Sequence, residues 1–163
     1  MTQTQELQQV KCDRMRYTKD KFSANLVLVA IVFDALYFVS IYQSDVGSYY
    51  YTWLIGASII YNLLFMLLGF LASEGVKSRK STYTLPLLLL GVMQFVRMVY
   101  LPAKAHAASV EISGETIAVM EDGQYIYVLV CLAISGVCCL VAAVASYLNN
   151  KKLAAYLASI EKD

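Results

Sequence analysis

The sequence predicts an all-α membrane protein, a bundle of four transmembrane helices with both termini in the cytoplasm. Hydrophobic residues make up 59% of the 163 residues and charged residues only 15%, which is outside the usual balance of a soluble domain. Each of four apolar stretches has about the 20 residues that a helix rising ~1.5 Å per residue needs to cross a hydrocarbon core ~30 Å thick. These predicted spans are 22–42, 50–72, 83–101 and 125–148.

The basic residues are sorted between the two ends of these spans. Of the thirteen Lys and Arg residues, eleven flank the end that carries the termini, Arg97 lies in a span, and only Lys104 lies in an opposite loop. Short loops rich in Lys and Arg stay in the cytoplasm. We therefore expect a multi-pass protein of the cell membrane, with a basic cytoplasmic tail over 1–21, a membrane domain over 22–148 and a cytoplasmic segment over 149–163.

The segment 149–163 has the pattern of an amphipathic helix. Leu153, Tyr156, Leu157 and Ile160 recur at helical spacing between polar residues. Three arrangements agree with this pattern: an extension of the fourth span into the cytosol, a helix lying along the inner interface, and a helix docked on a cytoplasmic partner.

The outer loop over 102–124, between helices 3 and 4, has an organisation of its own. Polar and apolar residues alternate over 109–112, Ser113-Gly114 is a turn signal, and a strand-like run follows over 115–120. We predict a small β-hairpin here. Because an isolated two-stranded hairpin is marginally stable, it should lean on the bundle as a lid or dock on another protein. His106, the single histidine, is expected to be an exposed loop side chain.

Two ionisable residues lie inside the predicted spans. Asp34 is about 12 Å and Arg97 about 6 Å from the outer ends of their helices, and the long arginine side chain can cover much of the difference. Intramembrane charges usually face the bundle interior and have partners. We predict an intramembrane polar cluster of Asp34, Tyr37, Ser58, Tyr61, Asn62, Gln94 and Arg97.

This polar cluster has three interpretations. In the first, it is an interhelical hydrogen-bond network that sets the packing register of the bundle. In the second, it is a substrate or ion pathway in which Asp34 titrates. In the third, Arg97 extends outward to the interface while Asp34 meets another subunit.

Small side chains crowd the fourth span, with a few more in the second. Such residues let membrane helices approach closely, either within the bundle or against a neighbouring subunit. None of the four cysteines forms a C-x-x-C motif, which disfavours thiol oxidoreductase chemistry. The predicted helix-packing residues are Gly56, Ser135, Gly136, Cys139, Ala142, Ala143 and Ser146.

No catalytic, phosphate-binding or metal-binding motif occurs, so we expect no enzyme activity, no cofactor and no nucleic-acid partner. The leading hypothesis is an accessory, scaffolding or regulatory subunit of a larger membrane complex, such as a transporter. Its expected partners are the lipid bilayer and another membrane protein or a second copy, met through the small-residue faces and the outer loop. The alternative is a small oligomeric transporter or channel that uses Asp34, Arg97 and Gln94.

Overall fold

The computed structural model describes residues 19–42, 53–112 and 115–160. Within these ranges four helices, each long and apolar enough to cross a membrane, confirm the predicted helical membrane architecture. They are α1 (Lys21–Tyr42), α2 (Trp53–Lys77), α3 (Thr84–Ala107) and α4 (Asp122–Ile160), with a 3₁₀ turn at Ser81–Tyr83 before α3 and two short strands, β1 (Ser109–Ile112) and β2 (Glu115–Ala118), before α4.

The bundle is built around α1 and α4. Helix α4 packs along both α1 and α3, and α1 also packs on α2, whereas α2 and α3 touch little. The outward faces are as apolar as the core, with Leu63, Leu67 and Phe70 of α2 all more than half exposed. Helices that are hydrophobic all round are typical of a membrane environment.

Two apolar clusters fill the interior at different levels. One lies toward the end of the bundle that carries the strands, here the hairpin end, and includes Tyr37, Ile41 and Leu132. The other lies toward the end that carries Asp20 and Asn149, here the termini end, and includes Val27 and Phe65. On every helix the buried polar residues fall between these clusters or at the termini end.

Helix α1 begins with a side-chain cap that is shared with α4. Asp20 accepts hydrogen bonds from the Ser23 backbone N–H at 3.1 Å and from the Ser23 hydroxyl at 2.7 Å, which satisfies groups that a helix N-terminus leaves unpaired. The Asn149 amide donates to the same carboxylate at 2.8 Å. Burial raises the pKa of Asp20, but the hydrogen bonds from Asn149 and Ser23 and the nearby Arg79 charge hold it below its ordinary value.

Helix α2 ends in a left-handed turn at a non-glycine residue. Arg79 has a φ of 54°, the Arg79 N–H donates to Val76 O at 2.9 Å, and the Lys80 N–H donates to Gly75 O at 3.0 Å. These are the two hydrogen bonds of a Schellman motif. An arginine in this conformation costs about 1 kcal/mol relative to glycine, and its side chain donates to Asn149 O of α4 at 3.1 Å. The turn thereby ties α2 to α4.

The third helix is longer than the sequence predicted. It passes through Pro102 and ends at Ala107, so the loop expected over 102–124 begins six residues later, at Ala108. A helical proline loses one backbone hydrogen bond, a loss that membrane helices tolerate where neighbouring helices cover it. Leu101, Pro102 and Ala105 are all buried, and packing of Leu101 and Ala105 in the apolar cluster at the hairpin end favours continuing the helix.

The second and fourth helices also extend beyond their predicted spans. Helix α2 continues to Lys77 instead of residue 72, since Ser73 and Val76 are buried and Ser73 Oγ donates to Ala24 O at 3.1 Å. Helix α4 runs unbroken from Asp122 to Ile160. The C-terminal segment therefore continues the fourth helix as far as Ile160, which is the first of the three arrangements that its sequence pattern allowed.

Strands β1 and β2 pair antiparallel, from Ser109 opposite Ala118 to Ile112 opposite Glu115. The second strand ends at Ala118, so the run predicted over 115–120 is two residues too long. Val119 and Met120 turn inward instead and are 6% and 1% exposed, because the apolar cluster at the hairpin end takes up their side chains. These contacts favour the alternative in which the outer loop leans on its own bundle.

His106 does not lie in a loop. It occupies the last turn of α3, where its Nε2 is 2.8 Å from Oδ1 of Asp122, and its ring stacks on Tyr125 at 4.3 Å. Both partners belong to the start of α4. A third contact at this end runs from Gln124 Nε2 to Ser40 O of α1, at 2.9 Å. The hairpin end is therefore closed by direct contacts among α1, α3 and α4.

Candidate functional site: a polar layer inside the bundle

Polar side chains from all four helices meet between the two apolar clusters. We call this set the polar layer: Asp34 of α1, Asn62 of α2, Gln94 and Arg97 of α3, and Ser135 of α4. Each of the five is at most 9% exposed. The surrounding residues on each helix are apolar. The polar layer therefore occupies one or two helical turns within an otherwise apolar interior.

The charged pair stands at the centre of the polar layer. Arg97 Nη1 lies 2.9 Å from Asp34 Oδ1, with the two side chains 9% and 0% exposed. The distance is that of a charge-assisted hydrogen bond. Because desolvating two ions costs several kcal/mol each, such a pair adds little net stability but becomes costly when one partner is removed. Any shift that separated the two charges would be costly, so the pair favours one relative position of α1 and α3.

The rest of the Arg97 guanidinium is also occupied. Its Nη2 donates to Asn62 Oδ1 of α2 at 2.5 Å. The rings of Tyr37 and Tyr61 lie against the same group, with Arg97 Cζ 4.2 Å and 4.9 Å from their centroids. Such cation–π contacts stabilise a desolvated cation by roughly 1–2 kcal/mol. Arg97 therefore does not extend outward to the interface, as one interpretation of the sequence supposed.

A second chain of hydrogen bonds links the layer to α4. Gln94 Nε2 donates to Asp34 Oδ1 at 2.9 Å and to Ser135 Oγ at 3.1 Å. Ser135 Oγ donates in turn to Ala30 O of α1 at 2.9 Å. Ser135 was predicted only as a small packing residue. It lies about as far from the hairpin end of α4 as Gln94 lies from the hairpin end of α3, and this match in depth could have indicated a polar role.

Some hydrogen-bonding capacity in the layer is unused by the residues that the structure describes. Asp34 Oδ2, Asn62 Nδ2 and Gln94 Oε1 are buried and have no partner among them. Both bonds to Asp34 fall on Oδ1. The arrangement can hold a neutralised charge pair and fix helix register. It also leaves a carboxylate oxygen able to accept one more hydrogen bond.

A groove between α2 and α3 leads from the membrane-facing surface to Arg97. It has a volume of about 260 Å³ and an apolar lining. Ser58 and Tyr61 line it from α2, while Met93, Arg97 and Tyr100 line it from α3. Ser58 lies about one turn closer to the hairpin end than Asn62 and forms part of this groove. The groove exists because α2 and α3 pack mainly on α1 and α4 and not on each other.

Six of the seven predicted packing residues lie buried along α4. Ser135, Gly136, Cys139, Ala142, Ala143 and Ser146 share this buried position. A Cβ added at Gly136 would come within 2.8 Å of the Phe95 ring. Close approach here therefore joins helices of the same chain.

Gly56 behaves differently from the α4 residues. A Cβ added there would meet nothing within 4 Å among the described residues, so Gly56 mediates no close helix contact among them. Three glycines that are not among the predicted packing residues do allow close packing: an added Cβ would lie 3.0 Å from the Ile31 side chain at Gly69 and 2.9 Å from the Leu140 side chain at Gly91, and would overlap the Tyr83 ring at Gly75.

Comparison with known proteins adds no assignment to this geometry. No protein-family model, curated protein or solved structure matches the chain.

Proposed function

We propose that this protein is a non-enzymatic accessory, scaffolding or regulatory subunit of a larger membrane complex, such as a transporter complex. One observation carries the proposal: α4 has 39 residues and is therefore about 58 Å long, against a hydrocarbon core of ~30 Å. Residues 149–160, which lie beyond the predicted fourth span, form the last ~18 Å of this helix at the termini end, and we call them the arm.

The arm has the surface of a docking element. Leu153 and Leu157 lie on one face of it at helical spacing; Leu153 is partly buried and Leu157 is 48% exposed. Lys151 and Lys152 are exposed at its base. An amphipathic helix of this kind presents its apolar stripe to a groove on another protein. A rigid connection to α4 would transmit such binding directly to the membrane bundle.

The polar layer supports the same proposal. Its charges bind to one another, and its hydrogen bonds connect all four helices of a single chain. A layer of this kind gives the bundle one defined register, which a scaffold requires.

The decisive experiment compares matched variants of the arm. Affinity-tagged chain, purified from membranes in mild detergent, should bring down a second protein in stoichiometric amount. Leu153→Ser with Leu157→Ser should reduce that protein about tenfold, because roughly 1.4 kcal/mol or more of apolar burial is lost. The control, Ala155→Ser with Ala158→Ser, changes the opposite face and should leave recovery unchanged. A lone homo-oligomer, or equal loss with both variants, would contradict the proposal.

A small oligomeric transporter or channel is the second candidate, favoured by the groove that reaches Arg97 and by Asp34 Oδ2, which has no hydrogen-bond partner among the described residues. Its test is solute or ion flux into liposomes. Ala57→Trp fills the groove without removing either charge of the ion pair and should abolish flux, whereas Leu64→Trp on the outward face of α2 should not. The accessory proposal expects no flux from the chain alone.

A further inference from the structure

A second cavity lies at the termini end, between α3 and α4. It has a volume of about 680 Å³ and is separate from the groove that reaches Arg97. Two rows of residues line it, running from the termini end toward the middle of the bundle: Ser81 to Leu88 before and along α3, and Lys151 to Ala143 along α4. Each row covers about two turns of helix, or roughly 10 Å.

The polarity of this cavity changes along its length. Ser81, Thr84, Asn150 and Lys151 line the part nearest the termini end. Leu85, Leu88, Val144 and Ala143 line the part nearer the bundle centre. The polar headgroup layer of a bilayer is roughly 5–7 Å thick on each side of the hydrocarbon core. The cavity lining therefore changes from hydroxyl, amide and ammonium groups to aliphatic groups over the same distance in which a lipid leaflet changes from headgroups to acyl chains.

The polar part of the cavity has unused hydrogen-bonding groups. Both amide atoms of Asn150, Nδ2 and Oδ1, are shielded from solvent and have no partner among the described residues. Lys151 is exposed at the same place and forms no ion pair within the described part of the chain. A ligand that carries a negative charge and hydrogen-bonding oxygens at one end, and an alkyl chain at the other, matches both parts of the cavity.

We propose that this cavity binds one phospholipid with an anionic headgroup, taken from the leaflet at the termini end. The headgroup phosphate contacts the Lys151 ammonium and the Ser81 and Thr84 hydroxyls. The Asn150 amide bonds to headgroup or ester oxygens. The acyl chain lies against Leu85, Leu88 and Val144. The basic residues around this end, among them Lys80 and Lys152, favour anionic lipids in the surrounding leaflet as well.

The test uses the full chain, delipidated in non-ionic detergent, and native mass spectrometry. Titration with phosphatidylglycerol should give a saturable complex of one lipid per chain. Phosphatidylcholine with the same acyl chains should bind at least about fivefold more weakly, which is the factor expected for one basic side chain near a headgroup. Equal affinity for the two lipids would overturn the proposal.

Two matched pairs of variants locate the site. Lys151→Gln should weaken phosphatidylglycerol binding about fivefold, whereas Lys152→Gln, which removes the same charge outside the cavity, should change it less than about twofold. Leu88→Trp fills the cavity and should abolish the complex, whereas Leu89→Trp on the neighbouring lipid-facing position should preserve it. Both leucines are exposed, so neither tryptophan enters the core.

Other outcomes would contradict the proposal. If Lys151→Gln and Lys152→Gln weakened binding equally, the lipid would be held by general surface charge. If Leu88→Trp left lipid binding intact but removed a co-purifying membrane protein, the cavity would hold a partner helix.

Discussion

At the residue scale, the most consequential contact is between Asp34 and Arg97. Both are buried, and the charged pair also engages Asn62 and Gln94. Hydrogen bonds between membrane helices contribute only about 0.6 kcal/mol on average, so this network is worth more as a determinant of register than as a source of stability. Its energetic importance appears when it is broken, because an unpaired ion would then remain in an apolar interior.

Asp34 and Arg97 should show energetic coupling in a double-mutant cycle. Asp34→Asn and Arg97→Gln should each lower the free energy of unfolding by roughly 3 kcal/mol. The double variant should lose clearly less than the sum of the two, because neither charge is left alone. Titration with SDS in mixed micelles unfolds the protein and measures the free energy of unfolding of both single variants and of the double variant.

The exposed pair Lys77–Glu74 serves as a control for this cycle. Its Lys77 Nζ and Glu74 Oε1 atoms are 2.8 Å apart, but the side chains are 42% and 71% exposed, so Lys77→Gln should change stability by less than about 1 kcal/mol. Strictly additive losses for the Asp34 and Arg97 variants would show that the two residues do not act as a pair.

At the element scale, the helix ends at the termini end determine how the bundle is held together. The Asp20 cap begins α1, the left-handed Arg79 turn ends α2, and both residues bind Asn149 of α4. The Asp20 N–H also donates to Lys77 O at 3.0 Å. Three helices are therefore joined by short polar contacts where the chain leaves the apolar region, which also defines where the arm of α4 begins.

The Asp20 cap predicts a pH dependence of stability. Its folded pKa lies below the ordinary value of 3.8, so the unfolded chain binds the proton more readily. The stabilisation is therefore complete above that ordinary value and is lost as the pH falls through the lower, folded pKa. Thermal unfolding in detergent, followed from neutral pH into the acid range, should reveal this loss.

Two substitutions separate the charge of Asp20 from its capping role. Asp20→Asn keeps an oxygen acceptor for the Ser23 N–H and should remove this part of the pH dependence. Asp20→Ala should lower stability by about 1 kcal/mol at neutral pH, because the cap itself is lost. An unchanged acid profile in Asp20→Asn would mean that other carboxylates cause the loss.

At the scale of the whole molecule, the interior of the bundle has three successive layers along the membrane normal: apolar, polar and apolar. The two apolar clusters lie on either side of the polar layer, with α1 and α4 as the central helices. The α2–α3 groove and the α3–α4 cavity lie on different sides and at different depths of the bundle. One chain therefore presents two distinct recesses to the membrane.

The sidedness of the bundle is a prediction that labelling can test. In a chain whose four own cysteines are replaced by alanine, Lys104→Cys should react with a membrane-impermeant maleimide added to intact cells. Ser78→Cys, in the turn at the termini end, should react only after the membrane is permeabilised, because basic loops stay in the cytoplasm. The opposite pattern would reverse the orientation and place the α4 arm outside.

The sequence by itself determined the helical membrane architecture. Length and hydropathy are sufficient for this, since the bilayer demands about 20 apolar residues and complete backbone hydrogen bonding. Depth along each helix was also sufficient to bring Asp34, Gln94 and Arg97 to one level. These properties depend on position along a single helix and not on how the helices pack.

Only the tertiary structure decided which groups meet. The role of Ser135, the continuation of α3 through Pro102, and the burial of Val119 and Met120 each depend on neighbours distant in the chain. The two recesses likewise arise from helix order, because α2 and α3 pack on the central pair and leave space beside it. Periodicity assigns a face to a residue, but the partner of that face is set by packing against other helices.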